Sequence, residues 1–166
     1  MIFNHSLIDQ AETLLDRART AGVMIATAES CTGGLVSGLL TEIPGSSDVV
    51  DRAFITYSNE AKTEMLGVPA RIIEGHGAVS AEVAKIMAKE TLLRSNADIT
   101  VSITGVAGPG GSERKPAGLV YFGLACRDQA TRTHVQRFGD RGRDAVRLAS
   151  VATALDLLAE GVDLFS

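Results

Sequence analysis

Residues 23–34 read VMIATAESCTGG, a short and largely apolar run that passes directly into a turn of small residues. The apolar part, Val23 to Ala28, is typical of a strand buried on both faces of a sheet. Before it, apolar residues recur at helical spacing from Leu7 to Ala18, which predicts a first helix that stops at Gly22. After it, a second helix is predicted from about Gly34 to Glu42. A buried strand between two helices is typical of an α/β fold.

The rest of the chain continues this alternation and then closes it with a hairpin. The next predicted elements are a strand at 49–58, short helices at 59–66 and 69–74, a longer helix capped by Ser80 that ends near residue 95, and a strand at 99–103 with a small polar face. Strand-like runs at 118–126 and 131–138 predict an antiparallel hairpin with an exposed edge, and a helix from about 142 to 160 follows. We therefore predict a three-layer α/β/α sandwich around a mixed sheet of about five strands.

The composition limits the class of protein. The chain has 166 residues, 45% of them hydrophobic, and a formal net charge of -4, which fits one domain spanning residues 1–166. An acidic balance weighs against nonspecific nucleic-acid binding, which needs clustered lysines and arginines. Two cysteines are too few for a disulfide scaffold. Since neither a signal peptide nor a membrane-spanning run is evident, we expect a cytoplasmic protein without a membrane partner.

The turn AESCTGG at 28–34 is the first segment that could carry chemistry. It follows a predicted strand, where open α/β sheets bind ligands, and it directs backbone N–H groups and a helix dipole at whatever is bound there. The same residues also fit a plain turn in which Ser30 or Thr32 caps the helix. Cys31 is a rival nucleophile to Ser30, because a thiol at a helix N-terminus is more acidic than a hydroxyl.

Three further segments have the residue types of a binding or catalytic site. TYSNEAK at 56–62 could supply a proton donor in Tyr57 and, if desolvated, a base in Lys62. The glycine-rich segment 104–112 could approach a phosphate closely, although it lacks the Gly-Lys-Ser/Thr ending of a P-loop. FGDRGRDAVR at 138–147 places arginines at a helix start, where they could clamp a phosphate. Each segment also fits an ordinary structural role, as packing residues, a flexible connection or solvated charges.

In five ordered motifs the chain closely resembles the C-terminal domain of the CinA family, to which competence and damage-inducible proteins belong: TAESCTGG (27–34), TYSNEAK (56–62), GHGAVS (75–80), TGVAGPGG with KPAG (104–111 and 115–118) and FGDRGRDAVR (138–147). The resemblance implies an α/β/α fold, a homodimer, and hydrolysis of nicotinamide mononucleotide to nicotinic acid mononucleotide and ammonia, a step of NAD salvage. It implies neither a metal nor an organic cofactor, and the scattered histidines and cysteines also predict no metal site.

The resemblance also implies roles for single residues. Ser30 matches the family's nucleophile and Lys62 its base, and Tyr57 and Thr104 complete the catalytic set. The residues implied in substrate binding are Thr32, Gly33, Gly34, Gly105, Gly108, Gly110, Arg141 and Arg147. Arg141 is our choice for the phosphate, with Arg143 and Arg147 as alternatives.

One departure from the family pattern lies in the glycine-rich loop. Five residues separate Pro109 from Lys115, one fewer than is usual in the family. A shorter loop could weaken nucleotide binding, so a non-catalytic nucleotide-binding or regulatory module is the alternative hypothesis. A third hypothesis is an amidase that uses Cys31 on another small amide.

Overall fold

The computed structural model describes residues 2–112 and 114–166. In chain order its elements are α1 (His5–Ala21), β1 (Ile25–Glu29), α2 (Leu35–Glu42), a short 3-10 turn (Ser46–Asp48), β2 (Val50–Ile55), α3 (Asn59–Leu66), α4 (Ala70–His76), α5 (Ala81–Leu93), β3 (Ile99–Gly105), β4 (Leu119–Cys126), β5 (Arg132–Arg137) and α6 (Arg143–Asp163). Each helix and strand predicted from the sequence is present, with its ends shifted by a few residues. In the described part of the chain, every helix is too short or too polar to span a bilayer.

The five strands form one mixed sheet in the order β2-β1-β3-β4-β5. β1 runs parallel to both β2 and β3, whereas β4 is antiparallel to β3 and to β5. The predicted mixed sheet and hairpin are therefore confirmed, and β5 is an exposed edge strand. Because the three parallel strands end at the same edge of the sheet, the segments that follow Glu29, Ile55 and Gly105 are brought together there.

Helices cover both faces of the sheet and give the three predicted layers. One face packs against α1, α2 and α6, with a core that includes Leu15, Leu39 and Phe122. The other face packs against α5, which α3 and α4 flank, with a smaller core around Leu66 and Met87. The α/β/α prediction is therefore confirmed.

The small polar face of β3 is buried under α5. Thr100 Oγ1 donates to the Ala88 carbonyl at 2.7 Å and Ser102 Oγ donates to the Ala84 carbonyl at 2.6 Å, so both hydroxyls are satisfied without water. On the neighbouring strand, a Cβ at Gly123 would lie 2.4 Å from the Ala84 carbonyl oxygen, which leaves room only for glycine. The alternation predicted for β3 thus reflects close packing of a helix on the sheet.

The predicted start of β1 and the predicted end of β2 were wrong, and in both cases a helix cap explains the difference. β1 was predicted to begin at Val23, but the N–H of Val23 donates to the Ala18 carbonyl at 3.1 Å as part of the left-handed termination of α1 at Gly22. β2 was predicted to continue to Ser58. It ends at Ile55, because Ser58 is the N-cap of α3 and its side chain accepts from the Ala61 amide at 3.0 Å.

Candidate active site

Ser30 and Lys62 meet at the carboxyl edge of the sheet. Ser30 directly follows β1, and its N–H donates to the Ile103 carbonyl at 3.0 Å, which ties it to β3. Lys62 lies in the first turn of α3, and its Nζ is 3.0 Å from Ser30 Oγ. The amine also donates to the carbonyls of Thr56, at 2.9 Å, and Tyr57, at 3.2 Å. A buried amine in contact with uncharged oxygen atoms is therefore placed against a serine hydroxyl.

The burial of Lys62 changes its protonation. Only 1% of the residue is exposed, and burial disfavours the charged form, which lowers the pKa of Lys62 from 10.5 to about 8. Roughly a tenth of the molecules would then hold a neutral amine at pH 7. A neutral amine next to a hydroxyl can accept its proton, so the pair has the geometry of a nucleophile and its general base.

Cys31 lies beside this pair but in an unfavourable electrostatic environment. Burial raises the pKa of the Cys31 thiol to about 11, so the thiolate is scarce at neutral pH. Burial therefore removes the advantage in acidity that a helix N-terminus would give this thiol. The physical reason is that the side chain is only 6% exposed, and burial outweighs the help from neighbouring hydrogen bonds and charges.

A cavity of about 260 Å³ opens in front of the serine and the lysine. Its lining includes Ser30, Tyr57, Lys62, Thr104, Gly105 and Arg143. The structure thus brings together all four residues predicted as catalytic. A larger depression, of about 350 Å³, lies between α3 and α4, but its side chains include the carboxylates of Glu60, Glu64 and Glu74, which do not suit an anionic nucleotide.

Arg143, the first residue of α6, lies across the mouth of this cavity. Its Nη2 donates to the Tyr57 hydroxyl at 3.1 Å and its Nη1 donates to the Gly108 carbonyl at 3.0 Å. Arg141 is exposed and lies outside the cavity as the described residues define it, because the chain turns at Gly142 before α6 begins. The structure therefore places Arg143 rather than Arg141 at the cavity, and which arginine binds a phosphate stays a prediction.

The model of the CinA C-terminal domain matches residues 8–162 of the chain. The chain belongs to the CinA C-terminal domain family. A crystal structure of a competence/damage-inducible protein from Agrobacterium tumefaciens is similar to it, with a TM-score of 0.92 and 47% identity over 95% of this chain and 96% of that one. A CinA superfamily protein from Escherichia coli gives a TM-score of 0.88 and 31% identity, over 94% of this chain and 91% of that one.

Curated relatives are longer than this CinA domain. A CinA-like protein from Chlorobaculum tepidum is 49% identical over 145 residues, which are 84% of this chain and 33% of that protein. A CinA-like protein from a Synechococcus species is 47% identical over 150 residues, 89% of this chain and 36% of that protein. The chain thus spans about a third of the length of the curated relatives it matches.

Several residues predicted to bind substrate instead shape the turn after β1 of the CinA domain. Arg147 donates to the carbonyls of Cys31, at 3.1 Å, and Thr32, at 3.2 Å. Thr32 is fully buried, and Gly33 and Gly34 have φ angles of 59° and 97°, in the left-handed region that favours glycine. These contacts hold the backbone next to Ser30. Arg147, Thr32, Gly33 and Gly34 themselves lie outside the lining of the described cavity.

The glycine-rich loop after β3 contributes to the cavity in part. Thr104 lines it, but its hydroxyl donates to the Ala78 carbonyl at 2.8 Å, so its oxygen is placed to accept rather than donate. Gly105 lines the cavity as well, and Gly108 contributes the carbonyl held by the arginine. Gly110 is exposed and lies outside the lining of the described cavity.

Sequence reasoning missed Glu29, the last residue of β1. It is completely buried, and its carboxylate accepts from the amides of Val36, at 2.9 Å, and Ser37, at 3.0 Å. The N-terminus of α2 was predicted to attract a bound anion, but this carboxylate of the chain already occupies it. An acidic residue at the end of an apolar strand was the available signal. Neither Ser30 nor Thr32 caps α2, because its N-cap is Gly34, which has no side chain.

Proposed function

We propose that this CinA domain is a nicotinamide-nucleotide amidase, which hydrolyses nicotinamide mononucleotide to nicotinic acid mononucleotide and ammonia. The observation that supports an amide hydrolase is the distance of 3.0 Å between Ser30 Oγ and the Nζ of the buried Lys62. The family resemblance supports the nucleotide as substrate. Arg143 at the mouth of the cavity supplies a positive charge of the kind that a phosphate requires.

The proposed reaction passes through an ester on Ser30. Neutral Lys62 takes the serine proton while Oγ attacks the carboxamide carbon, which the electron-withdrawing pyridinium ring makes more reactive. The tetrahedral intermediate then breaks its C–N bond, and the protonated Lys62 gives its proton to the departing ammonia. Water attacks the ester, and Lys62 accepts one proton of that water and returns it to Ser30 Oγ as the ester C–O bond breaks. The second proton leaves the new carboxylic acid for the solvent, which gives the nicotinate carboxylate.

Backbone amides next to the nucleophile are the proposed donors to the oxyanion. The amide of Gly33 donates to the Ser30 carbonyl at 3.0 Å, and that of Leu35 donates to Thr32 at 3.1 Å, so both are engaged. The proposal uses the amides of Cys31 and Thr32, because they directly follow the nucleophile in the chain.

Replacing Arg143 by alanine is expected to raise KM for the nucleotide about tenfold to a hundredfold with little change in kcat. The reason is that a hydrogen bond to a charged group is worth about 1.5–3 kcal/mol, and it holds the phosphate equally in the ground state and the transition state. Steady-state kinetics of ammonia release measure both constants. The same measurement on Arg141→Ala decides between the two arginines.

The nucleoside without its phosphate, nicotinamide riboside, is the matched control substrate for this arginine. Arg143→Ala should not change its kinetics, because the group that the guanidinium binds is missing. An equal loss for nucleotide and riboside would show that Arg143 holds the loops around Tyr57 and Gly108 and does not bind the phosphate.

The direct test of the proposed function is ammonia release from nicotinamide mononucleotide by the purified protein, with a metal chelator present. Free nicotinamide and glutamine serve as control amides. We expect release from the nucleotide alone, at a rate that the chelator does not change. A folded protein that binds the nucleotide but releases no ammonia would support the alternative, a non-catalytic nucleotide-binding module.

A further inference from the structure

The Glu29 carboxylate accepts four hydrogen bonds around the turn that carries the nucleophile, one from the turn, two from α2 and one from β1. Oε1 accepts from Thr32 Oγ1 at 2.7 Å and from the Val36 amide at 2.9 Å. Oε2 accepts from the Ser37 amide at 3.0 Å and from Thr27 Oγ1 at 3.3 Å. The carboxylate therefore connects β1, the turn after Ser30 and the first turn of α2.

A carboxylate without access to solvent is costly unless hydrogen bonds and positive charge compensate for it. Here the compensation comes from the N-terminus of α2, where helix dipole and unpaired amides meet the negative charge. The N-cap of α2 is Gly34, which has no side chain to cap the helix. Glu29, at the end of β1, therefore caps α2 in place of an N-cap side chain. Its hydrogen bonds fix the orientation of α2 relative to β1.

The other contacts of the turn act from different sides. The amide of Ser30 is bound to Ile103 on β3, and the carbonyls of Cys31 and Thr32 are bound to Arg147 on α6. Glu29 is the side chain that ties the turn to α2, in addition to the backbone bond from the Leu35 amide to the Thr32 carbonyl, and it lies outside the lining of the described cavity. Glu29 therefore acts on the reaction without lining the cavity, through the position of the turn or through its charge, and Thr32→Val separates the two because it keeps the charge.

We propose that Glu29 is a positioning residue, which orients the turn so that Ser30 Oγ faces Lys62 Nζ and the amides after it face the cavity. This inference rests on the proposed function, because it concerns the same nucleophile. A misplacement of about 1 Å at a reacting group can cost on the order of a hundredfold in rate. Loss of the carboxylate should thus lower kcat and leave KM, which depends on groups at the mouth of the cavity, nearly unchanged.

The test is Glu29→Gln, which keeps the shape of the side chain but turns one acceptor into an NH₂ donor facing donors of the turn. We expect kcat to fall about tenfold to a hundredfold, with KM within about twofold of the wild-type value. Asp98→Asn is the matched control. Asp98 is also a buried acid, accepts from the Met24 amide at 2.8 Å and pairs with Arg127, at the opposite end of β1 and β3. Its replacement should leave kcat unchanged.

Hydrogen exchange on the same proteins gives a readout that does not depend on turnover. Glu29→Gln should speed the exchange of the segment 30–37, whereas Asp98→Asn should leave that segment unchanged. Thr32→Val removes one of the four hydrogen bonds and keeps the charge, so it should lower kcat severalfold, and it replaces the glutamine variant if that protein does not fold.

Three results would overturn the proposal. The first is full kcat in Glu29→Gln, or in Thr32→Val if that variant stands in for it. The second is unchanged exchange in the segment 30–37, and the third is an equal loss of kcat in Asp98→Asn. If the wild-type protein releases no ammonia, the proposed function fails instead, and hydrogen exchange alone still decides whether Glu29 orders the turn.

Discussion

Ser30→Ala is expected to lower the turnover of nicotinamide mononucleotide by about 10⁴-fold or more, because the proposed ester intermediate has no other oxygen on which to form. Binding should stay within a few-fold of the wild-type value, since the group at the mouth of the cavity that meets the phosphate is unchanged. Ammonia release measures the first quantity, and calorimetric titration of the variant with the nucleotide measures the second.

The control for this variant is its neighbour in sequence. Cys31→Ala should keep turnover within a few-fold, because burial raises the pKa of the thiol to about 11 and little thiolate forms at neutral pH. Near-normal turnover in Ser30→Ala, together with loss in Cys31→Ala, would move the nucleophile to the thiol and contradict the serine mechanism.

Lys62→Met is expected to lower kcat by about 10²- to 10⁴-fold, since methionine fills similar space without a base. In the wild-type enzyme, kcat/KM should rise with pH through a midpoint near pH 8 and then level off, because burial lowers the pKa of Lys62 to about 8 and only the neutral amine accepts the serine proton. The residual activity of the variant should lack this rise. A midpoint close to 10.5 in the wild type would describe an ordinary solvated lysine and remove its role as base.

The free energy of unfolding gives an independent check on the same pKa. Below pH 8 the amine is protonated in both the folded and the unfolded chain. Between about 8 and 10.5 the unfolded chain binds the proton and the folded chain does not, so stability should rise with pH by at most about 1.4 kcal/mol per pH unit. The Cys31 thiol opposes this rise above about pH 9, because burial raises its folded pKa to about 11. The contribution of Lys62 is therefore read from denaturant titrations as the difference in pH dependence between the wild type and Lys62→Met, which both contain Cys31.

Much of the fold was predictable from the sequence because it depends on local patterns. The period of apolar residues from Leu7 to Ala18 predicted α1, and the alternation of 99–103 predicted β3. The wrong boundaries of β1 and β2 arose where backbone hydrogen bonds of a helix cap compete with the strand. Val23 and Ser58 have side chains compatible with both structures, so only the folded backbone decides which one forms.

For the functional site too, local patterns predicted some features and tertiary packing decided the others. The sequence by itself determined the strand and helix pattern, the family, and the segments that end at one edge of the sheet, because periodicity and turn-forming residues act over short distances. Only the tertiary structure decided that Lys62 is buried against Ser30, that Arg143 rather than Arg141 reaches Tyr57, and that Glu29 occupies the start of α2.

Arg143 and Tyr57 are 86 residues apart, and their contact depends on how α6 packs beside the sheet. Burial, pKa and hydrogen-bond partners are set by such packing, which no local pattern of residues encodes.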